Sequence, residues 1–449
     1  MAGLIIVFIV VLFCFFIGQS MTYKNILFSP QFGLFGGFIL SIGFCFFWAN
    51  RWEVELSEET IKVLCVGFIT FLFVSLSTHN IGRRIKIKKK KNVSFKEEIQ
   101  TGKIELDTCL TNSKLIGFAV FQFLVIILLI YSLRRIGMRS ISEAIFYLRR
   151  VSLAEGLASL VPGYLRRIRR LCVASGYIWT YVLIYQSLNN VNRYSIWLVI
   201  NIFFSIINDA LFGARTGMVS FAIASVVQFY FLYEAKGNWN EKIKVKSQIR
   251  VIVLAVALIW SFQAIGDLMG RLGTVDFSEY IAKYLSAKIK NLDTFVRQER
   301  YGTDIYTNQT FSFLLNYLSG KFGLPDLTRN VYLPYNFVNG YNLGNVYTTF
   351  YPFYYDNGIA GVVIYTALMA FIGEISFLKA TFKNKKKYNE INIGIIIYSY
   401  MFFTFAFCFF SNKFYEMIFN EVFLESLVYW IAVKWFLNLR ITGRKRVNL

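Results

Sequence analysis

The chain has 449 residues, of which 56% are hydrophobic, 47 are phenylalanine and only 5 are proline. This composition is typical of a polytopic membrane protein. The formal net charge of +22 lies in separate loops rather than on one face of a soluble domain, so nucleic acid is not an expected partner. The six cysteines form no CxxC pair and His79 is the only histidine; neither a metal nor a cofactor is expected.

Apolar runs of spanning length predict an all-α, polytopic membrane protein with about eleven (10–12) transmembrane helices. The predicted spans cover residues 2–19, 31–49, 60–80, 115–133, 171–188, 194–209, 217–234, 250–266, 358–378, 392–411 and 418–437.

Lysine and arginine in the loops predict the orientation, because they collect on the cytoplasmic side. An even number of spans separates each successive pair of the basic intervals 81–114, 235–250, 379–388 and the tail from Arg440, so all four are predicted to be cytoplasmic. The interval between the eighth and ninth helices, and with it the N-terminus, then lies outside. The predicted organisation is a membrane domain 1–266, a large external loop 267–357, and C-terminal helices with a basic tail, 358–449.

The interval 134–170 carries nine arginines and no lysine. Helix parity places it outside, where guanidinium groups would form a surface for phosphate oxygens. The alternative is a parity error caused by a missed half-span near 141–162. The candidates for substrate binding in this interval are Arg149, Arg150, Arg166 and Arg167.

Two further arginines lie at the predicted external edge of the bilayer. Arg215 follows Asp209 in the turn NDALFGARTG, and Arg271 follows the predicted span that ends at Gly266. Ionisable groups at the membrane are candidates for function, although an ion pair between Asp209 and Arg215 is a structural alternative.

The external loop is predicted to contain an amphipathic helix over Asp276–Gln298, because apolar residues recur there at helical spacing on one face. Asp276 is the expected N-cap. Such a helix would lie flat at the membrane surface or cover a cavity.

The loop ends with the stretch Tyr341–Gly361, YNLGNVYTTFYPFYYDNGIAG. Its aromatic rings with polar tips suit the C–H faces and hydroxyls of sugars. An aromatic belt at the membrane surface would explain the rings but not Asn345, Thr348 and Asp356 among them.

Within this stretch, NVYT, an aromatic run and DNGIAG resemble the signature of the O-antigen polymerases, the Wzy family of oligosaccharide repeat unit polymerases. That signature reads N-V-Y-T and then D-F-G with a further glycine before a late transmembrane helix; Asn357 replaces the aromatic residue here. Arg215 followed by Gly217 at the start of a middle helix is also similar to this family.

The resemblance implies a glycosyltransferase-type enzyme in the inner membrane of a Gram-negative bacterium. It would join undecaprenyl-pyrophosphate-linked oligosaccharides at the periplasmic face, among membrane lipid and alongside a chain-length regulator and a flippase. Arginines would stabilise the leaving pyrophosphate, polar groups would orient or deprotonate the acceptor hydroxyl, and no metal would be needed. The implied catalytic residues are Arg215, Arg271, Asn345 and Asp356, and the implied substrate-binding residues are the four arginines above with Tyr347, Thr348, Tyr351 and Tyr355.

Three alternatives stay open. An O-antigen ligase shares the architecture, but ligases usually carry a histidine in the external loop, and this chain has none there. A repeat-unit flippase or other transporter would more often show short loops and internal repeats. At the level of single residues, Asp356 is either the carboxylate that acts on the acceptor or a cap of the following helix.

Overall fold

The computed structural model describes residues 1–22, 27–92, 111–154, 160–189, 196–213, 215–236, 277–298, 308–327, 329, 333–381 and 390–438. At some of these positions, among them Arg149, Arg150 and Arg215, only the backbone is described.

The described chain is almost entirely helical. The helices are α1 (Ala2–Thr22), α2 (Pro30–Trp48), α3 (Glu58–Asn92), α4 (Asn112–Arg134), α5 (Ile141–Ala154), α6 (Gly163–Leu188), α7 (Ile196–Ala210), α8 (Arg215–Lys236), α9 (Phe277–Leu285), α10 (Ala287–Arg297), α11 (Ser312–Phe322), α12 (Phe350–Ala380), α13 (Ile393–Ala406), α14 (Lys413–Ile418) and α15 (Glu421–Asn438). A short 3-10 turn, Pro325–Leu327, and two strands, β1 (Asn336–Val338) and β2 (Tyr341–Gly344), lie between α11 and α12.

Seven helices in the described part of the chain are long and apolar enough to cross a membrane: α1, α2, α3, α4, α6, α8 and α12. The helices α7 and α13 are apolar but shorter. Large apolar side chains lie exposed on the outer faces, as on α1, where Phe13 and Phe16 are 64% and 65% exposed. Exposed apolar faces of this kind indicate helices that face lipid. The structure therefore agrees with the predicted all-α polytopic architecture, since these described helices could span a membrane. The predicted count of eleven transmembrane helices includes a span over 250–266, which lies outside the described residues.

The chain divides into two compact units. Unit 1 comprises Met1–Phe95, Gly273–Ala380 and Tyr398–Leu424, and unit 2 comprises Lys96–Leu272, Thr381–Ile397 and Glu425–Leu449.

In unit 1, α12 packs along α3 with the two helices running in the same direction. Gly67 of α3 lies against the ring of Phe350, where an added Cβ would come within 2.2 Å, and Gly82 lies against Leu378. Small residues of this kind let two spanning helices approach closely. The beginnings of α3 and α12 therefore lie at the same end of the unit.

That end of unit 1 is covered by the short helices and the hairpin, and we call it the capped end. The backbone N–H of Ser57, just before α3, donates to Asp293 of α10 at 2.8 Å. The N–H of Thr349, just before α12, donates to the carbonyl of Cys408 at 2.8 Å. The strands β1 and β2 pair antiparallel around Asn339–Gly340, both at positive φ, the conformation that Asn-Gly favours in tight hairpins.

The predicted amphipathic helix 276–298 is wrong as a single element, since it forms α9 and α10 with a break at Ser286. The backbone of Ser286 leaves the helical region at φ −127° and ψ −21°, and its hydroxyl donates to the carbonyl of Ala282 at 2.9 Å. Serine hydroxyls that bond back to the preceding turn commonly bend helices. The predicted cap Asp276 lies outside the described residues.

The last predicted external segment also ends earlier than expected, because α12 begins at Phe350 rather than at 358. Pro352 is tolerated there, since it lies in the first turn, where its missing N–H would have no intrahelical partner. The predicted start coincides instead with a kink, where Asn357 and Gly358 leave the helical conformation and Gly358 has φ +56°.

In unit 2, α6 packs against α7 and α8, and α4 packs against α7. Gln122 of α4 links α6 and α7, because its amide donates to Ser175 of α6 at 3.1 Å and to Ser205 of α7 at 3.0 Å. At one end of the unit, Lys114 donates to the carbonyl of Leu437 at 2.7 Å. The beginning of α6 and the turn between α7 and α8 lie at the other end.

We expect the substitution Gly37→Ala to destabilise the protein by about 1–3 kcal/mol. A Cβ at Gly37 would lie 2.3 Å from the carbonyl oxygen of Ala406, which is backbone and cannot turn away. Thermal unfolding of the purified protein in detergent measures the change.

The matched control is Gly36→Ala on the same turn of α2, where a Cβ has no heavy atom within 4 Å. Equal melting temperatures for the two variants would contradict the close packing of α2 on the end of α13.

Candidate functional site

A cluster of aromatic rings lies at the capped end of unit 1, around Phe295 of α10. The ring of Phe295 lies 4.6 Å from Tyr351, centroid to centroid, and 6.1 Å from Tyr355. Tyr351 in turn stacks on Tyr347 at 4.8 Å. The apolar face of α10 thus packs on the aromatic run, and we call these four rings the aromatic wall. Tyr351 and Tyr355 are only half-buried, so part of each ring is open to a ligand.

Asn345 lies at the edge of this wall, on a backbone held in place by Asn291 of α10. The amide of Asn291 donates to the carbonyls of Leu343 and Val346 at 3.2 and 2.8 Å. Within the described part of the chain the half-buried side chain of Asn345 has no hydrogen-bond partner, and it is free to contact a polar ligand. The fixed backbone gives this amide a defined position.

Thr348 is fully buried behind the wall, and its hydroxyl has no hydrogen-bond partner among the described residues. The neighbouring Thr349 is used by the fold, because its N–H bonds Cys408 and its hydroxyl lies 3.4 Å from the amide oxygen of Asn412. As a substrate-binding residue, Thr348 would act only after a change in the surrounding packing.

Asp356 links α12 to the segment that leads into α11. One carboxylate oxygen accepts the backbone N–H of Gln309 at 2.7 Å and the other accepts that of Thr310 at 2.9 Å. These partners do not lie in the helical turn that follows Asp356, where a cap would bind, so the carboxylate is an anchor for a distant segment. Each carboxylate oxygen keeps a second lone pair, which leaves capacity to orient a hydroxyl.

The segment that Asp356 holds is fixed from two other directions. Asn412 donates to the carbonyl of Thr310 at 3.0 Å, and the ring of Phe311 packs edge-on against Tyr415 at 5.0 Å. We call the contacts among Gln309–Phe311, Asp356 and Asn412 the junction. Three separate parts of the chain meet there.

In unit 2, the arginines that begin α6 form ion pairs. Arg169 donates to Asp209 at 3.3 Å, and Arg170 donates to Glu425 at 2.9 Å. Asp209, suggested above as a partner of Arg215, is thus bound by Arg169, and the side chain of Arg215 lies outside the described part of the chain. Gly217 permits this arrangement, because a Cβ there would lie 1.9 Å from a carboxylate oxygen of Asp209.

The two predicted substrate-binding arginines of α6 differ. Arg167 is 75% exposed and lies 3.7 Å from Glu425, a distance and exposure at which an ion pair contributes little. Arg166 is partly buried, and its Nε is without a hydrogen bond in the described chain. Both therefore keep donors for an anion. Nothing is described of the side chains of Arg149, Arg150 and Arg215, and Arg271 lies outside the described residues.

A buried polar cluster between the spanning helices of unit 1 was not predicted. His79 Nδ1 lies 2.6 Å from Glu374 Oε1, and Gln31 donates to the other oxygen of Glu374 at 3.2 Å. Glu374 is the only acidic or basic residue in the predicted span 358–378. Such residues are rare in spans and need partners, so Glu374 was the sequence signal for this cluster. These contacts give His79 a structural role between the helices of unit 1.

No protein-family model matches the chain, and comparisons with curated proteins and with solved structures found no match either. The residues of the site itself therefore indicate which ligands it could bind. The capped end of unit 1 offers half-open rings, a free amide and an anchored carboxylate, a set suited to sugar rings and hydroxyls. The beginning of α6 in unit 2 offers guanidinium groups suited to an anion.

We expect Asp356→Asn to lower the stability of the protein by about 1–3 kcal/mol, because the amide can accept only one of the two N–H groups and sets its NH₂ against the other. Thermal unfolding in detergent measures this loss.

Asp326→Asn is the control, since Asp326 is exposed in the 3-10 turn. An Asp356→Asn variant as stable as wild type would show that the carboxylate does not hold the junction.

Proposed function

We propose that the protein is a glycosyltransferase-type polymerase that joins oligosaccharide repeat units carried on undecaprenyl pyrophosphate into O-antigen polysaccharide. It would work at the periplasmic face of the bacterial inner membrane, with a chain-length regulator as a partner. The observation that carries the proposal is the position of the aromatic wall and Asn345. The segment that resembles the polymerase signature folds against α10 as α12, a helix of spanning length, begins.

A lipid-linked sugar has its carrier in the membrane and its sugars just outside, so a binding surface is needed where a spanning helix leaves the bilayer. Tyr351 and Tyr355 present ring faces there, on which sugar rings can stack. Asn345 is the nearest free amide in sequence and would bind a sugar hydroxyl. This surface would hold the repeat unit by its sugars rather than by its lipid.

In the proposed reaction, a hydroxyl of one lipid-linked unit attacks the anomeric carbon of another. The new glycosidic C–O bond forms as the bond to pyrophosphate breaks, and undecaprenyl pyrophosphate leaves with the electron pair. Asp356 would orient the acceptor hydroxyl through a remaining lone pair. The proton of that hydroxyl would pass to the carboxylate or to water. Arg215 and Arg271 are assigned to the leaving pyrophosphate from the sequence alone.

The ligase alternative is less favoured. The only histidine of the chain is His79, which is fully buried against Glu374 between spanning helices and is not part of the capped end. A ligase would be expected to carry a histidine in the external loop. We therefore favour polymerase activity over ligase and transporter activity. The experiment below distinguishes the three activities.

The proposal is tested by deleting the gene and analysing surface and lipid-linked glycans by gel electrophoresis. Loss of a polymerase leaves a single repeat unit on the final lipid anchor. Loss of a ligase leaves long chains on the carrier lipid, and loss of a flippase traps single units on the inner side. Either of the last two patterns would overturn the proposal.

In the complemented strain we expect Asn345→Ala and Tyr351→Ala to shorten the polymer at unchanged protein level, since they remove the amide and the stacking surface. Tyr351→Phe keeps the ring and should keep long chains.

Asn339→Gly is the control, because Asn339 lies at the hairpin tip with φ +49°, a conformation that glycine adopts readily. Wild-type chain length in both Asn345→Ala and Tyr351→Ala would remove this surface from the proposed site.

A further inference from the structure

Three lysines gather at the capped end of unit 1, and we call them the lysine cluster: Lys283, Lys288 and Lys413. The ammonium of Lys288 lies 5.1 Å from the ring centroid of Phe410, and that of Lys413 lies 5.8 Å from the same ring. A Cβ added to Gly344 would lie 3.3 Å from Cε of Lys283 and 3.7 Å from Nζ of Lys288. Helices α9, α10 and α14 thus bring three positive charges to the same end of the unit.

Lys288 differs from the other two lysines in its burial and its partners. It is only 2% exposed, and in the described part of the chain it contacts aromatic rings but no carboxylate. Lys283 is close enough to Glu279 for the two charges to interact, and Lys413 forms an ion pair with Glu416. Among the described residues the buried charge of Lys288 is therefore uncompensated, and such a charge costs several kcal/mol.

The surroundings of Lys288 favour an anion. Lys288 is the second residue of α10, where the helix dipole repels a cation and attracts an anion. Ser286 at the N-cap makes no side-chain cap hydrogen bond, so its hydroxyl does not bind the first N–H groups of α10. Gly344 has φ +83°, and because it has no side chain the backbone of the hairpin approaches the ammonium of Lys288 closely.

We propose that the lysine cluster is a binding site for a phosphoryl anion, a phosphate or diphosphate, with Lys288 as its central contact. A compact group with several oxygens can meet the ammonium groups of Lys288 and Lys283 and the N-terminus of α10 together. The binding does not depend on the proposed polymerase activity. The anion can be free or can be the diphosphate of a lipid carrier.

Burial of Lys288, followed by the nearby charge of Lys283, lowers the pKa of its ammonium to about 7. Among the described residues, the charged groups around it are Lys283 and Glu279 on α9 and Lys413 and Glu416 on α14, and Tyr284 is the nearest phenol. A bound anion stabilises the ammonium and raises its pKa. Binding therefore takes up a proton above pH 7, and the affinity falls by up to about tenfold per pH unit as pH rises from there.

The same shift predicts the stability of a Lys288→Met variant. The folded-state pKa of Lys288 is lowered, so the penalty for its buried charge is full below pH 7 and fades as pH rises toward the unfolded pKa. Lys288→Met should therefore raise the melting temperature of the ligand-free protein, and the gain should be larger at pH 7 than at pH 9.

The test is titration of the full-length protein in detergent with two probes, inorganic pyrophosphate and farnesyl diphosphate, followed by calorimetry at pH 7 and pH 9. We expect both probes to bind wild type and to bind Lys288→Met about tenfold or more weakly. Equal binding of the two probes identifies the phosphoryl group alone as the ligand, whereas tighter binding of farnesyl diphosphate identifies a lipid carrier. Either result supports the site.

Lys290→Met is the matched control, because Lys290 lies two residues further on α10 and donates to the carbonyl of Glu53 at 2.7 Å. It should bind both probes like wild type. Three outcomes would overturn the proposal: no binding of either probe to wild type, unchanged binding in Lys288→Met, or equal losses in the two variants, which would indicate a general charge effect. None of these outcomes bears on chain length in the glycan assay, so the two proposals fail separately.

Discussion

The capped end of unit 1 depends on one carboxylate. Asp356 lies in α12 and binds the N–H groups of Gln309 and Thr310, nearly fifty residues earlier in the chain. A buried N–H without a partner costs about 1–3 kcal/mol, so this pair of bonds determines where the segment before α11 can lie. Asn412 then holds the same segment from the other side. With the junction fixed, α10 can pack on the aromatic run and position Asn345.

The two candidate binding features of this end lie on the same short helix. One face of α10 supplies Phe295 to the aromatic wall, and its first turn supplies Lys288 to the lysine cluster. Both features go against stability, since rings are left half-open and a charge is buried without a carboxylate. Groups that are costly to the fold are often retained for binding or catalysis. We therefore expect α10 to be central to the function of unit 1.

Much of this architecture could be predicted from the sequence, because spanning helices are long apolar runs and α12 was located within eight residues. The features that were missed depend on contacts between distant segments, such as Asp356 with Gln309. Others had a local signal. Asn339–Gly340 marks the hairpin. Lys288 falls four residues after Tyr284 and four before Leu292, so it lies on the apolar stripe of the predicted helix rather than on its solvent face.

The most direct measurement is reconstitution of the purified protein in lipid vesicles with repeat units on undecaprenyl pyrophosphate, extracted from the deletion strain. The products are separated by chain length, and the released carrier lipid is quantified. We predict chains of two and more units that remain on the carrier, with one undecaprenyl pyrophosphate released for each bond formed. Single units that stay unextended by the wild-type protein, whether or not they cross the vesicle membrane, would contradict it.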